Sequence, residues 1–105
     1  IEQAEDFMQT NSQTNRFTNW TGEQAYLDHI GYRVEKDGIT YYWVNSGVFK
    51  NEIAKGFDVR KVCEVLHRIG WLLYNEAQDR WQFRKRGEGW YYVFKGAAPP
   101  DDADN

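Results

Sequence analysis

Residues 58–70 constrain this chain more than any other stretch. Val59, Val62, Cys63, Leu66 and Ile69 recur at helical spacing, while Arg60, Lys61, Glu64, His67 and Arg68 fill the positions between. Asp58 stands where an N-cap belongs, and Gly70 stands at the C′ position that favours glycine. The pattern predicts a helix over 59–69 with one apolar stripe. A helix this short is not stable alone, so the stripe must be buried against a second layer.

The material for that layer has a period of two. Tyr32–Val34 and Thr40–Val44 flank Glu35-Lys-Asp37-Gly38, and Asp-Gly between β-rich runs signals a hairpin. Arg80–Arg86, a Gly87-Glu-Gly89 turn and Trp90–Lys95 read as a second hairpin, with Trp81 and Phe83 on one face of its first strand. Trp71–Tyr74 reads as a short strand and Asn75–Asp79 as a turn. Further helices are predicted over 2–10, with Ala4, Phe7 and Met8 on one side, over Gly22–His29, capped by Thr21 with Gln24 at the capping-box position, and over Gly47–Lys55, offering Val48, Phe49 and Ile53. Two short helices in succession followed by a hairpin is the plan of a winged helix. The expected fold is α+β and winged-helix-like, short helices plus β-hairpins, in a single domain at 15–96. Residues 1–14 read as the end of a preceding helix or a linker, and 97–105 as a flexible acidic tail. The first residue is not Met, so a fragment of a longer polypeptide is expected.

Of the 105 residues, 17% are aromatic, enough for one core and unlike a disordered chain. No apolar run approaches the ~18 residues of a membrane span, and the acidic start is unlike a signal peptide. Cys63 is the only cysteine, so no disulfide can form within the chain. A cytoplasmic protein without a membrane partner is expected. The net charge is −3, but its distribution matters more. Six of the sixteen acids lie within residues 1–14 or 97–105, leaving ten in the body against all thirteen Lys and Arg. A mildly basic body tolerates an anionic partner without announcing one.

Catalytic patterns are absent: no GxGxxG or GxxxxGK[ST] loop, no HExxH, no His–Cys cluster. Cys63 and His67 stand four apart on one helix, where a reactive pair is conceivable. A buried cysteine and a solvent-facing histidine is the simpler reading. No enzyme activity, catalytic residue, metal site or cofactor is therefore expected. The strongest local signal is Arg84-Lys85-Arg86 at the tip of the second hairpin, beside Arg80 and Lys95. A hairpin projecting cations can grip DNA phosphates; the same charges also keep an edge strand from pairing. Arg60, Lys61 and Arg68 lie on the helix that would enter a groove in a winged helix. The candidate nucleic-acid-binding set is thus Arg60, Lys61, Arg68, Arg80, Arg84, Lys85 and Arg86, with DNA, single-stranded or duplex, as partner. A protein-interaction module is the rival reading, since Trp, Tyr and Arg dominate interface hot spots. A purely structural cap is the third.

The run Gly56-Phe-Asp-Val-Arg-Lys-Val-Cys-Glu-Val-Leu-His-Arg-Ile-Gly70-Trp-Leu-Leu resembles a GxDxxxVxxxLxxxGWL pattern. The pattern is found in the C-terminal region of phage-, plasmid- and island-encoded replication proteins. Those proteins carry a domain of unknown function similar to a superfamily 3-type ATPase, often linked to primase modules. Asn15-Arg-Phe17, Gly31-Tyr-Arg-Val34, Tyr41-Tyr-Trp-Val44 and Trp90-Tyr-Tyr-Val-Phe94 extend the resemblance over roughly residues 15–95. It implies a non-catalytic accessory domain of a mobile-element replication helicase. Its partners would be DNA and the helicase motor of the same polypeptide, the rival partners being a neighbouring subunit or a primase. The resemblance brings no catalytic residue for this region.

Overall fold

Asp37 and Gly38 both take positive φ, 54° and 80°, giving the two-residue turn whose twist matches that of the flanking strands. They join β2 (Gly31–Lys36) to β3 (Ile39–Asn45). This computed structural model describes residues 1–20 and 29–100. β5 (Gly89–Lys95) runs antiparallel to β3 on one edge and to β4 (Phe83–Lys85) on the other, while β1 (Phe17–Asn19) lies parallel to β2. The sheet order is β1-β2-β3-β5-β4.

Among the described residues three helical elements accompany the sheet, and together they make one α+β unit. They are α1 (Glu2–Asn11), α2 (Ser46–Val48) running into a π-helical turn at Phe49–Ile53, and α3 (Val59–Arg68). Asn45 ends β3 and caps α2, its side chain accepting from the N–H groups of Gly47 and Val48. The stripe of α3 packs as its spacing requires: Cys63 and Leu66 are buried, and Val59, Val62 and Ile69 lie partly buried against the core. Gly70, at φ 87°, ends the helix.

The core lies between the helices and one face of the sheet. Phe49 stacks on Tyr92 with centroids 4.0 Å apart, Phe17 meets Tyr42 edge-on at 5.2 Å, and Trp71 meets Phe94 at 5.0 Å. Trp71 is buried and donates its indole N–H to the Gly96 carbonyl. The start of the chain belongs to this core and is not a linker. Ala4, Phe7 and Met8 are buried in it, and the polar residues Asn11 and Ser12 are buried too. Arg33 ties the segment down by donating to the carbonyls of Ser12 and Thr14.

Two predicted strands are shorter than their β propensity suggests. Within Trp71–Tyr74 only Leu72 forms a bridge, to Phe94, supported by bonds from Leu73 N–H to Val93 and from Lys95 N–H to Trp71. Beyond it, Asn75 bridges Arg80 and its side chain donates to the Gln82 carbonyl, which closes a tight loop. That loop breaks the alternation, so Trp81 packs on the helix side while Phe83 faces Trp43 on the opposite side of the sheet. The helix predicted at Gly22–His29 lies outside the described residues but for its last, His29, which is not helical. Asp101, Asp102 and Asp104 also lie outside them. Among the described residues no helix is long and apolar enough to cross a membrane.

Two substitutions test this packing. Leu66→Ala should cost about 2–5 kcal/mol in urea unfolding, as for a fully buried leucine. A Cβ at Gly31 would sit 1.8 Å from the Trp43 carbonyl oxygen across the β2–β3 ladder. Gly31→Ala should therefore cost at least about 2 kcal/mol by overpacking. An unchanged unfolding midpoint for either variant contradicts the packing described.

Candidate nucleic-acid interface

The second hairpin carries four of the seven candidate cations, and strand alternation sends them to different places. Arg84 lies directly opposite Trp90 in the β4–β5 register, its guanidinium carbon 6.0 Å from the indole centroid. Arg80 reaches the same indole from the Asn75–Arg80 loop, at 3.8 Å. Arg80 is held there by a relay: its Nη2 donates to Gln82 Oε1 at 3.1 Å, Gln82 Nε2 donates to Ser46 Oγ at 3.4 Å, and Ser46 Oγ donates to the Trp90 carbonyl at 2.7 Å. Arg86 is exposed in the turn. Among the described residues no carboxylate lies within ion-pair distance of Arg80, Arg84 or Arg86.

Lys85 departs from the expectation of an exposed cation. It shares the parity of Phe83 and points to the face of the sheet away from the helices. Its side chain is only 12% exposed, and Nζ lies 2.6 Å from Glu88 Oε2. The ammonium also sits 4.4 Å from the Tyr32 ring and 4.7 Å from the Trp20 ring. Tyr32 and Tyr91 both donate hydroxyls to Glu88 Oε1. Burial works against charge at both ends of the pair. The bonds to each other and to the tyrosines outweigh it, holding Glu88 below the ordinary carboxylate range and Lys85 above the ordinary amine range. Lys85 is a structural cation, already satisfied within the chain.

That face forms a second aromatic cluster. Trp20 meets Trp43 at 4.6 Å, His29 meets Tyr32 at 4.9 Å, and Trp43 meets Phe83 at 5.9 Å. His29 also bonds Thr18, and burial lowers its pKa.

On α3 the three candidate cations separate as well. Arg60 pairs with Glu64 one turn on. Lys61 and Arg68 are exposed, and Lys61 lies beside a groove between the start of α1 and α3. The helix is tied to the hairpin loop by aromatic contacts: the His67 ring meets Trp81 at 5.5 Å, and Trp81 meets Tyr74 at 4.8 Å. Tyr74 in turn donates its hydroxyl to Asp79. Cys63 is buried, which pushes its thiol up to about 12, aided by Glu64 and Asp58. The His67 Nδ1–H donates to the Leu72 carbonyl at 2.8 Å. No activated Cys–His pair forms. Among the described residues no three His, Cys, Asp or Glu side chains are grouped to hold a metal ion.

Sequence reasoning identifies Arg80 and Arg84 but misses Trp90, the ring that gathers them. A turn at 87–89 would set Arg86 opposite Trp90; the turn instead lies at 86–88, with Gly89 already in β5, and this shifts Arg84 into register with Trp90. The approach of Arg80 depends on the 75–80 loop and leaves no signal. The comparisons with known proteins add no homologue: no family model, curated protein or solved structure matches this chain.

The Lys85–Glu88 pair yields a pH-dependent prediction. Glu88→Gln should cost about 1–3 kcal/mol at pH 7, because it leaves a mostly buried ammonium without its counter-charge. Glu88 titrates below its unfolded value, so its contribution is complete above the ordinary carboxylate range and is lost as pH falls through the folded value. The stability gap between wild type and variant should therefore close below about pH 4. A gap that stays constant from pH 7 to pH 3 in urea unfolding rejects the pairing.

Proposed function

We propose that this chain is a non-catalytic accessory domain that binds or positions DNA through the β4–β5 hairpin, with α3 beside it. The observation that carries the reading is the set Arg80, Arg84 and Arg86, three arginines of one hairpin with no carboxylate partner among the described residues. Neighbouring like charges left without carboxylate partners suit a polyanion, whose bound counterions they release. Lys61 and Arg68 add positive charge on α3, whereas Arg60 and Lys85 are engaged within the chain.

The chain order supports a winged-helix-like reading. A helix, a strand, a short helical segment and a second helix precede a hairpin whose last strand, β5, bonds beside the earlier strand β3. β1 and β2 are additions to that plan, and the π-helical turn stands where a regular helix is usual. Placement in a mobile-element replication helicase, cytoplasmic and attached to its motor, rests on the sequence resemblance over residues 15–95.

A protein-docking reading is favoured by one feature. Phe57 is 65% exposed at a groove of about 450 Å³ lined also by Ile1, Ala4, Ile53, Val62 and Val65. Exposed aromatic side chains of this kind anchor interfaces.

Fluorescence anisotropy with single-stranded, duplex and forked DNA separates the two. With two to four phosphate contacts, log K against log salt should slope about −2 to −4. Arg84→Ala with Arg86→Ala should flatten it by up to about 2, whereas Lys85→Ala should leave the slope unchanged and destabilise the fold. No binding by the wild-type chain at about 50 mM salt, where phosphate-directed binding is strong, rejects the DNA reading in favour of the docking one.

A further inference from the structure

We propose that Arg80 and Arg84, gathered on the Trp90 indole, form a two-arginine clip for a backbone phosphodiester, an inference that rests on the DNA reading and names its central contact. Three observations converge on it. First, both guanidinium groups lie within 6.0 Å of one ring, so two cations share a small area. Cation–π attraction to the indole offsets part of their mutual repulsion. Second, Arg80, although exposed, has bonded partners that place it over the ring. The relay through Gln82 and Ser46 to the Trp90 carbonyl fixes one edge of its guanidinium. With one bond made through Nη2, the guanidinium keeps further N–H donors, and its planar fork suits two phosphate oxygens. Third, no carboxylate among the described residues neutralises either arginine, and nearby Asp79 accepts from the Tyr74 hydroxyl instead.

The clip also has a specificity. Arg80, 3.8 Å from the centroid, covers one face of the indole, so that face is closed to a stacking base. The contact is to the sugar–phosphate backbone, and affinity at this site should be indifferent to base sequence. Lys85, one residue from Arg84 but on the opposite side of the sheet, takes no part.

Arg80→Gln/Arg84→Gln tests the clip in salt titrations with a fluorescein-labelled duplex of about 20 base pairs and the matching single strand. The slope of log K against log salt should flatten by about 2, with a loss on the order of 10-fold per contact at 0.1 M salt. Arg80→Lys/Arg84→Lys keeps both charges without the planar fork. It should restore most of the slope but not the affinity. In parallel, the five indole N–H signals of the wild-type chain are followed by ¹H–¹⁵N NMR during titration, with Trp90 assigned through Trp90→Phe. The Trp90 signal should shift with DNA and stay still in the double glutamine variant.

The outcomes separate the two claims. Wild-type binding with an unchanged slope in a folded Arg80→Gln/Arg84→Gln variant overturns the clip and leaves the DNA reading standing. Full recovery of affinity by the lysine variant overturns the fork geometry. A Trp90 signal unmoved at saturating DNA overturns the site directly. Absence of any wild-type binding overturns clip and DNA reading together.

Discussion

Strand β5 is bonded along both edges, and both packed layers of the molecule hang on that double pairing. β3 holds one side over Tyr41–Asn45, while β4 and the bridge at Leu72 hold the other. Its side chains alternate without a break. Tyr92 and Phe94 enter the core beneath the helices, and Tyr91 and Val93 enter the aromatic layer opposite. One strand therefore serves two packed faces, which is how a short chain finds a place for so many rings. The same alternation puts Trp90 on the helix side of the sheet, at the end where the hairpin arginines arrive.

Much of this is legible in local signals. Asp37-Gly38 announces its turn because few dipeptides tolerate two positive φ values in succession. The α3 stripe announces its buried face, and Gly70 its end. The illegible parts depend on contacts distant in sequence. The polar run at 9–15 reads as a linker because nothing local indicates that Arg33 will bond its carbonyls. Trp81 and Phe83 share a parity that predicts one common face. Asn75 overrides that parity by bonding both to Arg80 and to Gln82, a loop closure with no periodic signature.

The candidate site is legible to a similar degree. A tip rich in Arg and Lys is visible in any reading, but the burial of Lys85 depends on partners at Tyr32 and Glu88, one of them more than fifty residues away along the chain. Period two does contain a hint, since Lys85 shares the parity of Phe83 and Arg84 does not. Counting three neighbouring cations as one patch ignores that a strand divides its neighbours between opposite faces.

This division bears on the alternative role for the hairpin charges, protection of an exposed edge strand. β4 is three residues long and offers little edge to a pairing partner. One of its two cations, Lys85, is turned onto the sheet face and neutralised, so it does nothing for the edge. Arg80 lies outside the strand altogether, yet a relay of three hydrogen bonds holds it against Trp90. A charge needed only for solubility requires no such positioning. Ordering a long side chain costs conformational entropy on the order of 1–2 kcal/mol, and an arrangement that orders Arg80 beside a second arginine with no carboxylate partner among the described residues fits a ligand that meets both.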